Sequence, residues 1–432
     1  MPSKPSGGNT GRTVALVTVA VVGVAVLALA AFLLLPFGDD DDNGGSQENG
    51  LPANALTQEW AVPVTVSSGV TTPLPKMWFV EDAVVVGEPR LGLRAYDIRS
   101  GKQLWELERP KGAGELCAMS SDVSSGGTGA VAFDAGGDHC GVIAAVETDT
   151  GEVLWARKAG DYGTQREIVE VNSETVVSTA GGYVKAYDVR TGEERVVPRE
   201  RGYDCASFAV PSRDYIISTS TCSETKPRHL LTVTDVATGN DKVWKHPNEP
   251  LEIGRVLADR PLTALFEDED DNRHLLVFTD GEDGKADKIL HRWELTGELE
   301  ALQFGDNPAF VTEDAVLVAE HQGGDRQIAV DLKTGKVLWK SPRGIQRMVG
   351  MDPTDGTVLV AHQAPYKDGM VQHVELFTYD ARSGERKSVG SLAVPKQGLS
   401  LVDITLGWDG RVVYVLQKSA DGKATLRAFS GV

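Results

Sequence analysis

The stretch LRAYDIRSGKQLWEL (93–107) decides how this chain folds, because the chain writes it again as AAVETDTGEVLWARK (144–158), VKAYDVRTGEERVVP (184–198) and IAVDLKTGKVLWKSP (328–342). Each copy is an alternating apolar run, an acidic residue, two variable residues, Ser or Thr, Gly, and a second run. Trp105, Trp155 and Trp339 stand at one fixed place in that second run. This is hairpin chemistry: the acid accepts backbone N–H groups in the turn, Gly takes a positive φ, and Trp offers a broad face to the next copy. LLTVTDVATGNDKVWKH (230–246) adds one residue before Trp244, and VELFTYDARSGERKSVG (374–390) lacks the Trp. LLVFTDGEDGKADKILHRWEL (275–295) keeps its strands and Trp293 around a longer turn.

The turn glycines Gly101, Gly151, Gly192, Gly239, Gly335 and Gly384 recur roughly every 40–50 residues, with one double step that holds the degenerate copy; this is the period of a four-stranded propeller blade. Ahead of each phrase lie two more β-rich runs, such as MWFV (77–80) and AVVVGE (83–88), or CASFAV (205–210) and DYIISTS (214–220). Each unit therefore reads as strands A and B followed by a C-turn-D phrase.

The ends set the blade number. In TLRAFSGV (425–432), Leu426, Arg427, Ala428 and Phe429 stand where Leu93, Arg94, Ala95 and Tyr96 stand in the first copy, and no D strand follows. LTQEWAVPV (56–64) carries Trp60 with no strand C before it. The N-terminal strand is expected to complete the last blade and close the ring, leaving no open sheet edge between first and last blades. Seven whole copies and one split copy predict an all-β fold, an eight-bladed β-propeller of four-stranded blades over residues 56–432.

The repeated Ala/Val-x-Asp-x-x-Ser/Thr-Gly-x-x-Leu-Trp phrase resembles the repeat of PQQ-type eight-bladed propellers. That superfamily includes quinoprotein alcohol dehydrogenases and BamB-type outer-membrane assembly lipoproteins. The resemblance to quinoproteins implies a quinone beside a disulfide of adjacent cysteines, with a calcium ion; this chain has no Cys-Cys pair. The resemblance to BamB-type proteins implies a non-enzymatic scaffold that holds partners through its loops and faces. Those proteins are lipid-anchored, whereas no Cys lies near the N-terminus here. Similar propellers also form the external half of some bacterial Ser/Thr kinases, but only a short tail (1–12) precedes the apolar segment.

That segment, TVALVTVAVVGVAVLALAAFLLLPF (13–37), carries no charge and exceeds the about 20 residues a membrane-spanning helix needs. Lys4 and Arg12 precede it, and Asp39, Asp40, Asp41 and Asp42 follow. By the positive-inside rule the tail is cytoplasmic and the propeller extracytoplasmic, at the cell membrane. The alternative is a cleaved signal peptide, since Ala28-Leu29-Ala30 is similar to a cleavage box. Residues 38–55, acidic and rich in Gly and Asn, are expected to be a flexible linker.

The formal charge is −19, and the two positive charges of the first 38 residues make the remainder more acidic still. Such a surface repels nucleic acid and anionic lipid headgroups. The four cysteines fall two to a blade, which favours the disulfides Cys117–Cys140 and Cys205–Cys222 in an oxidising compartment. No HExxH, GxSxG, CxxC or phosphate-loop motif occurs, and the eight histidines never take ligand spacing. The histidines are expected at the surface or at strand ends. The runs 267–271 and 280–283 are expected in solvated hairpin loops, without the calcium-loop pattern. The strand-D tryptophans are assigned to blade packing, which leaves Trp78 and Trp408 without a role. No catalytic, cofactor or metal residue is assigned. The expectation is a membrane-tethered, monomeric, non-enzymatic scaffold with a protein or glycan partner on one propeller face; the alternative is a PQQ- or sugar-linked quinoprotein-type enzyme using the central channel.

Overall fold

The computed structural model describes residues 51–431 apart from 66–75, 136–139, 159–168, 181–182, 196–204, 223–228, 247–249, 281–285, 297–301, 304–308, 321–325, 353–354, 366–371, 395–396, 402 and 419–422. The expected tail, membrane helix and most of the linker therefore lie outside the described residues. Among the described residues no helix is long and apolar enough to cross a membrane.

The alternating runs fold as strands. In the first blade Met77–Val80, Ala83–Glu88, Gly92–Asp97 and Gln103–Glu108 pair side by side in that order, as strands A, B, C and D. Strand B, flanked within its sheet and covered on both faces, is buried throughout, while strand D at the rim is mostly exposed. Blades two to seven repeat the order over residues 116–158, 169–195, 205–246, 251–294, 302–340 and 346–392. In blade six the short strands Leu302–Gln303 and Phe310–Val311 both pair with Ala315–Glu320.

Blade eight closes the ring as the sequence foretold. Ile404–Trp408, Val413–Lys418 and Lys423–Ser430 supply A, B and C, and the N-terminal strand Thr57–Thr65 supplies D, with Trp60 opposite Ala428. Among the described residues the buried apolar side chains form eight clusters, one in each gap between consecutive blades. The closing cluster joins Trp60, Val64 and Leu426 of blade eight to Val84, Val86 and Tyr96 of blade one. Each fully buried Leu, Ile or Val in these gaps contributes roughly 1.5–3 kcal/mol, so blade-to-blade contact is the main source of cohesion.

The phrase residues are consumed by this arrangement. Asp97 Oδ1 accepts the N–H groups of Arg99 and Ser100 and the Ser100 hydroxyl, at 3.2, 2.7 and 2.6 Å. The Ser100 hydroxyl first, then these N–H groups, holds the Asp97 carboxyl below its ordinary value. Gly101 follows with φ of 66°. The strand-D indoles reach across to the next blade's turn and donate to its carbonyls: Trp105 to Thr148 at 3.0 Å, Trp155 to Val189 at 2.9 Å, Trp339 to Ala381 at 2.9 Å. A Cβ on the turn glycine beneath would stand 2.6 Å from Trp105 at Gly151 and 2.5 Å from Trp339 at Gly384. Gly is thus required twice, by φ and by the ring lying on it. The Trp244 side chain lies outside the described residues.

The two faces of the ring differ in kind. The A–B and C–D turns share one face, because the Ile98, Val189, Val236 and Leu332 N–H groups of C–D turns donate to Asp82, Glu174, Asp214 and Asp314 carbonyls of A–B turns. The B–C hairpins and D–A connections form the other. Cys117, in strand A of blade two, and Cys140, the first residue of strand C, are joined as expected, with Cα atoms 6.1 Å apart, near this loop face. Cys205 stands directly opposite Cys222 in the ladder of blade four, and Cys222 is disulfide-bonded; the Cys205 side chain lies outside those described.

Residues 51–55, assigned to the linker by composition, are docked instead. Pro52 is buried, Ala55 bridges Ser391 in parallel, and the Ser391 N–H donates to the Asn54 carbonyl at 3.0 Å. The chain thus fastens to blade seven before it joins blade eight. His274, second residue of the strand Arg273–Asp280, and His373, directly ahead of Val374–Asp380, stand at strand ends as expected, and both are buried.

Candidate functional site

Strand A is the innermost of each blade, and the turns that follow it ring the mouth of the central channel. One ion pair shows this directly: Arg213 Nη1, after strand A of blade four, lies 3.0 Å from Asp122 Oδ2, after strand A of blade two. Turns of non-consecutive blades meet only near the axis. The turn of blade three lies beneath, with Asn172 Nδ2 donating to the Arg213 carbonyl at 2.6 Å. Asn172 Oδ1 accepts the Glu174 and Thr175 N–H groups at 2.9 and 2.8 Å, so this side chain both caps its own turn and holds the neighbour.

Blade five completes the cluster. Arg260 Nη2 lies 3.5 Å from Asp214 Oδ2, and Asp259 Oδ1 accepts the Asp214 N–H at 3.3 Å. Slightly deeper, Glu170 of strand A in blade three accepts both the N–H and the hydroxyl of Ser121, at 3.1 and 2.6 Å. Lys76, just ahead of strand A in blade one, donates to the Met119 carbonyl at 3.0 Å. Burial pushes the Glu170 carboxyl above its ordinary value, and the Asp259 charge adds to that, against the pull of Ser121 and Lys76. Asp259 is likewise pushed up by burial, against the Ser212 hydroxyl and the Asp214 N–H. Enclosure by the ring is the common cause: a carboxylate facing the channel loses water that the turns only partly replace.

The mouth is a mixed-charge surface. Arg213 and Asp122 are 38% and 56% exposed and Arg260 is 73% exposed, so they remain open to an approaching partner. Guanidinium groups beside half-exposed carboxylates make a contact surface that selects by charge and hydrogen-bond geometry.

The residues singled out from sequence lie elsewhere. The described strand-D tryptophans are in the blade gaps. Trp78 is explained by packing: it is 1% exposed, donates to the Ser120 carbonyl at 2.9 Å, and a Cβ on Gly129 would stand 2.3 Å from its ring. Trp408 lies against Gly350 of blade seven, and its indole nitrogen is buried without a partner among the described residues. Asp268 of the run 267–271 caps its own hairpin through the Asp270 and Asn272 N–H groups and pairs with His274 at 2.9 Å. His274, and to a lesser degree these N–H groups, holds the Asp268 carboxyl down at about 2. Residues 281–283 lie outside those described. Among the described residues no group of His, Cys, Asp or Glu side chains could hold a metal ion. Asp122, Glu170, Arg213 and Asp259 belong to no motif; a signal exists only in lining up the A–B turns, where SSD (120–122), SRD (212–214) and DRP (259–261) carry the charges.

Residues 53–246 match the family model described as PQQ_2, outer membrane protein assembly factor BamB. No curated protein matches the chain. Among solved structures, the computationally designed Ika8 protein is similar with a TM-score of 0.51 and 14% identity, over 87% of this chain and 100% of that one. BamB from Moraxella catarrhalis is similar at a TM-score of 0.49 and 14% identity, over 87% and 100%. Quinohemoprotein alcohol dehydrogenase ADHIIG from Pseudomonas putida HK5 reaches 0.46 and 11%, over 87% and 76%. At these identities the likeness speaks for fold alone.

Proposed function

We propose that this chain, a PQQ-like eight-bladed β-propeller, is a membrane-tethered, extracytoplasmic scaffold that binds a protein partner at the channel mouth of its turn face. The observation that carries the reading is the Arg213–Asp122 pair spanning blades two and four. The repeat does not require those residues, yet three blades place charged groups together there, half-exposed and held by neighbouring turns. The chain also enters the propeller on this side, since Thr57 pairs with Ser430 at the C–D end of blade eight. The Cys117–Cys140 disulfide supports an oxidising, extracytoplasmic setting.

The test is crosslinking in intact cells with the full-length chain, comparing wild type with Arg213→Ala/Arg260→Ala and with alanine changes at exposed loop-face residues. Loss of a specific crosslinked species in the turn-face variant, with unchanged thermal stability, is the expected result. Capture that survives in that variant and vanishes in the loop-face variants would move the site to the other face. Titration with PQQ and calcium separates scaffold from quinone-linked enzyme: a saturable thermal shift or quinone absorbance change would overturn the scaffold reading.

A further inference from the structure

Two blades solve the same local problem differently. In blade one, Arg94 stands opposite Val86 in the B–C ladder, and two residues further along B comes Glu88, whose carboxylate pairs with Arg94 at 3.2 Å. In blade eight, Arg427 stands opposite Val415, and the residue two further along B is Gln417. The carboxylate has become a neutral amide. Blade six keeps an acid at the equivalent place, Glu320, paired with Arg326.

Arg427 is nevertheless 6% exposed. Its Nη1 donates to Gln417 Oε1 at 2.9 Å and its Nη2 to Gln397 Oε1 at 2.8 Å. A guanidinium has five N–H donors, and no carboxylate pairs with this one among the described residues. Arg347, in strand A of blade seven, lies at the same junction: half-buried and without an ion pair among the described residues, its Nη1 donates to the Ile404 carbonyl at 2.5 Å. Ile404 is the ladder partner of Gln417, so both arginines border one rung. Burial lowers the pKa of Arg347 and of Arg427 with nothing to oppose it. Arg94, also penalised by burial, is held above its ordinary value by Glu106 and Glu88. Removing a guanidinium from water without an anion is costly, and here two such groups lie at one blade junction.

We propose that Arg427, together with Arg347, forms an oxyanion-binding site at the junction of blades seven and eight, taking a carboxylate or phosphate group. Gln397 is exposed and belongs to the connection between the blades; its amide oxygen occupies the guanidinium where an incoming oxyanion would bind more strongly. Gln417 is the fixed wall, tied through its Nε2 to the Gly398 carbonyl at 3.0 Å. The site is far from the channel-mouth turns in sequence and in blade order and does not depend on them.

The full-length protein is melted in increasing acetate or inorganic phosphate, against chloride at matched ionic strength. The expected result is a saturable rise in midpoint with the oxyanion and none with chloride; a rise with phosphate alone assigns phosphate, and a rise with both assigns the carboxylate as well. Gln417→Glu restores the acid of blade one, so it should start at a higher midpoint and respond at least tenfold more weakly. Equal behaviour in oxyanion and chloride, or a full response in Gln417→Glu, would overturn the site. Should that variant fail to fold, the Arg427 Nε–H resonance, assigned by its loss in Arg427→Lys, reads the same titration in the wild-type chain: a saturable shift supports the site and an unmoved resonance overturns it.

Discussion

The Trp60 indole N–H donates to the Ile98 carbonyl at 2.9 Å, and the ring covers Gly101, where a Cβ would stand 2.7 Å from Cδ2. One residue of the N-terminal strand therefore fastens blade eight to blade one. Trp60→Phe keeps a ring but loses the donor and is expected to cost about 1 kcal/mol. Gly101→Ala meets both the positive φ and the indole and should cost about 2–4 kcal/mol. Urea denaturation of both variants checks the order; an unchanged midpoint for Gly101→Ala would refute the packing role.

Glu88 is a second fastening of the same closure. Its side chain is fully buried, takes the Thr65 N–H at 2.7 Å, and pairs with Arg94. Glu88→Ala strands Arg94 and frees the end of the closing strand, a loss of about 3–5 kcal/mol for a broken buried pair. Hydrogen exchange should show the Thr65 amide losing protection before the core of blade one does.

Reduction of Cys117–Cys140 releases a segment with a sequence separation of 23. The chain-entropy model assigns such a crosslink about 3 kcal/mol. A reductant-dependent fall in thermal midpoint, reproduced by Cys117→Ala/Cys140→Ala, is expected; a midpoint indifferent to reductant would contradict it.

His362 lies within stacking distance of Tyr379, at 6.1 Å between ring centroids. Burial, aided by Arg386, pushes its pKa down to about 4. The folded state therefore holds the neutral ring while the unfolded chain binds a proton below its ordinary value of 6.5. The unfolded state takes up more protons across that window, so stability falls as pH drops from about 6.5 to about 4 and levels off below. His362→Gln should flatten this stretch of the stability profile, and a profile unchanged by the substitution would argue against the assignment.

The Arg213–Asp122 pair is half-exposed, so solvent screens it. A double-mutant cycle should return a coupling of about 0.2–1 kcal/mol. That small value makes Arg213→Ala a clean probe of binding; a coupling of several kcal/mol would recast the pair as structural.

The blade count was legible because Trp60 lacks a strand before it and Phe429 lacks one after it, and period and turn chemistry are local. Glu88 was not: a strand-end acid looks solvated until the closing strand is laid over it. Asp122 and Arg213 lie 91 residues apart and meet only because the ring bends blade four back toward blade two. Trp78 stood outside the repeat register, and its role needed Gly129 of another blade. Residues 51–55 have a linker's composition, and their docking depends on Ser391, which no local pattern reveals.

Ser430 bonds to Glu59 across 371 residues of sequence. During synthesis the strand Thr57–Thr65 emerges long before its partner Lys423–Ser430, so it stays unpaired until that partner has been made. Seven blades can stack beforehand, but the eighth assembles only once Lys423–Ser430 is available to the first strand. Synthesis of Lys423–Ser430 is thereby the trigger for locking the ring, and until that strand is made the first strand is an unsatisfied edge, the kind of surface that exposes a chain to misassembly.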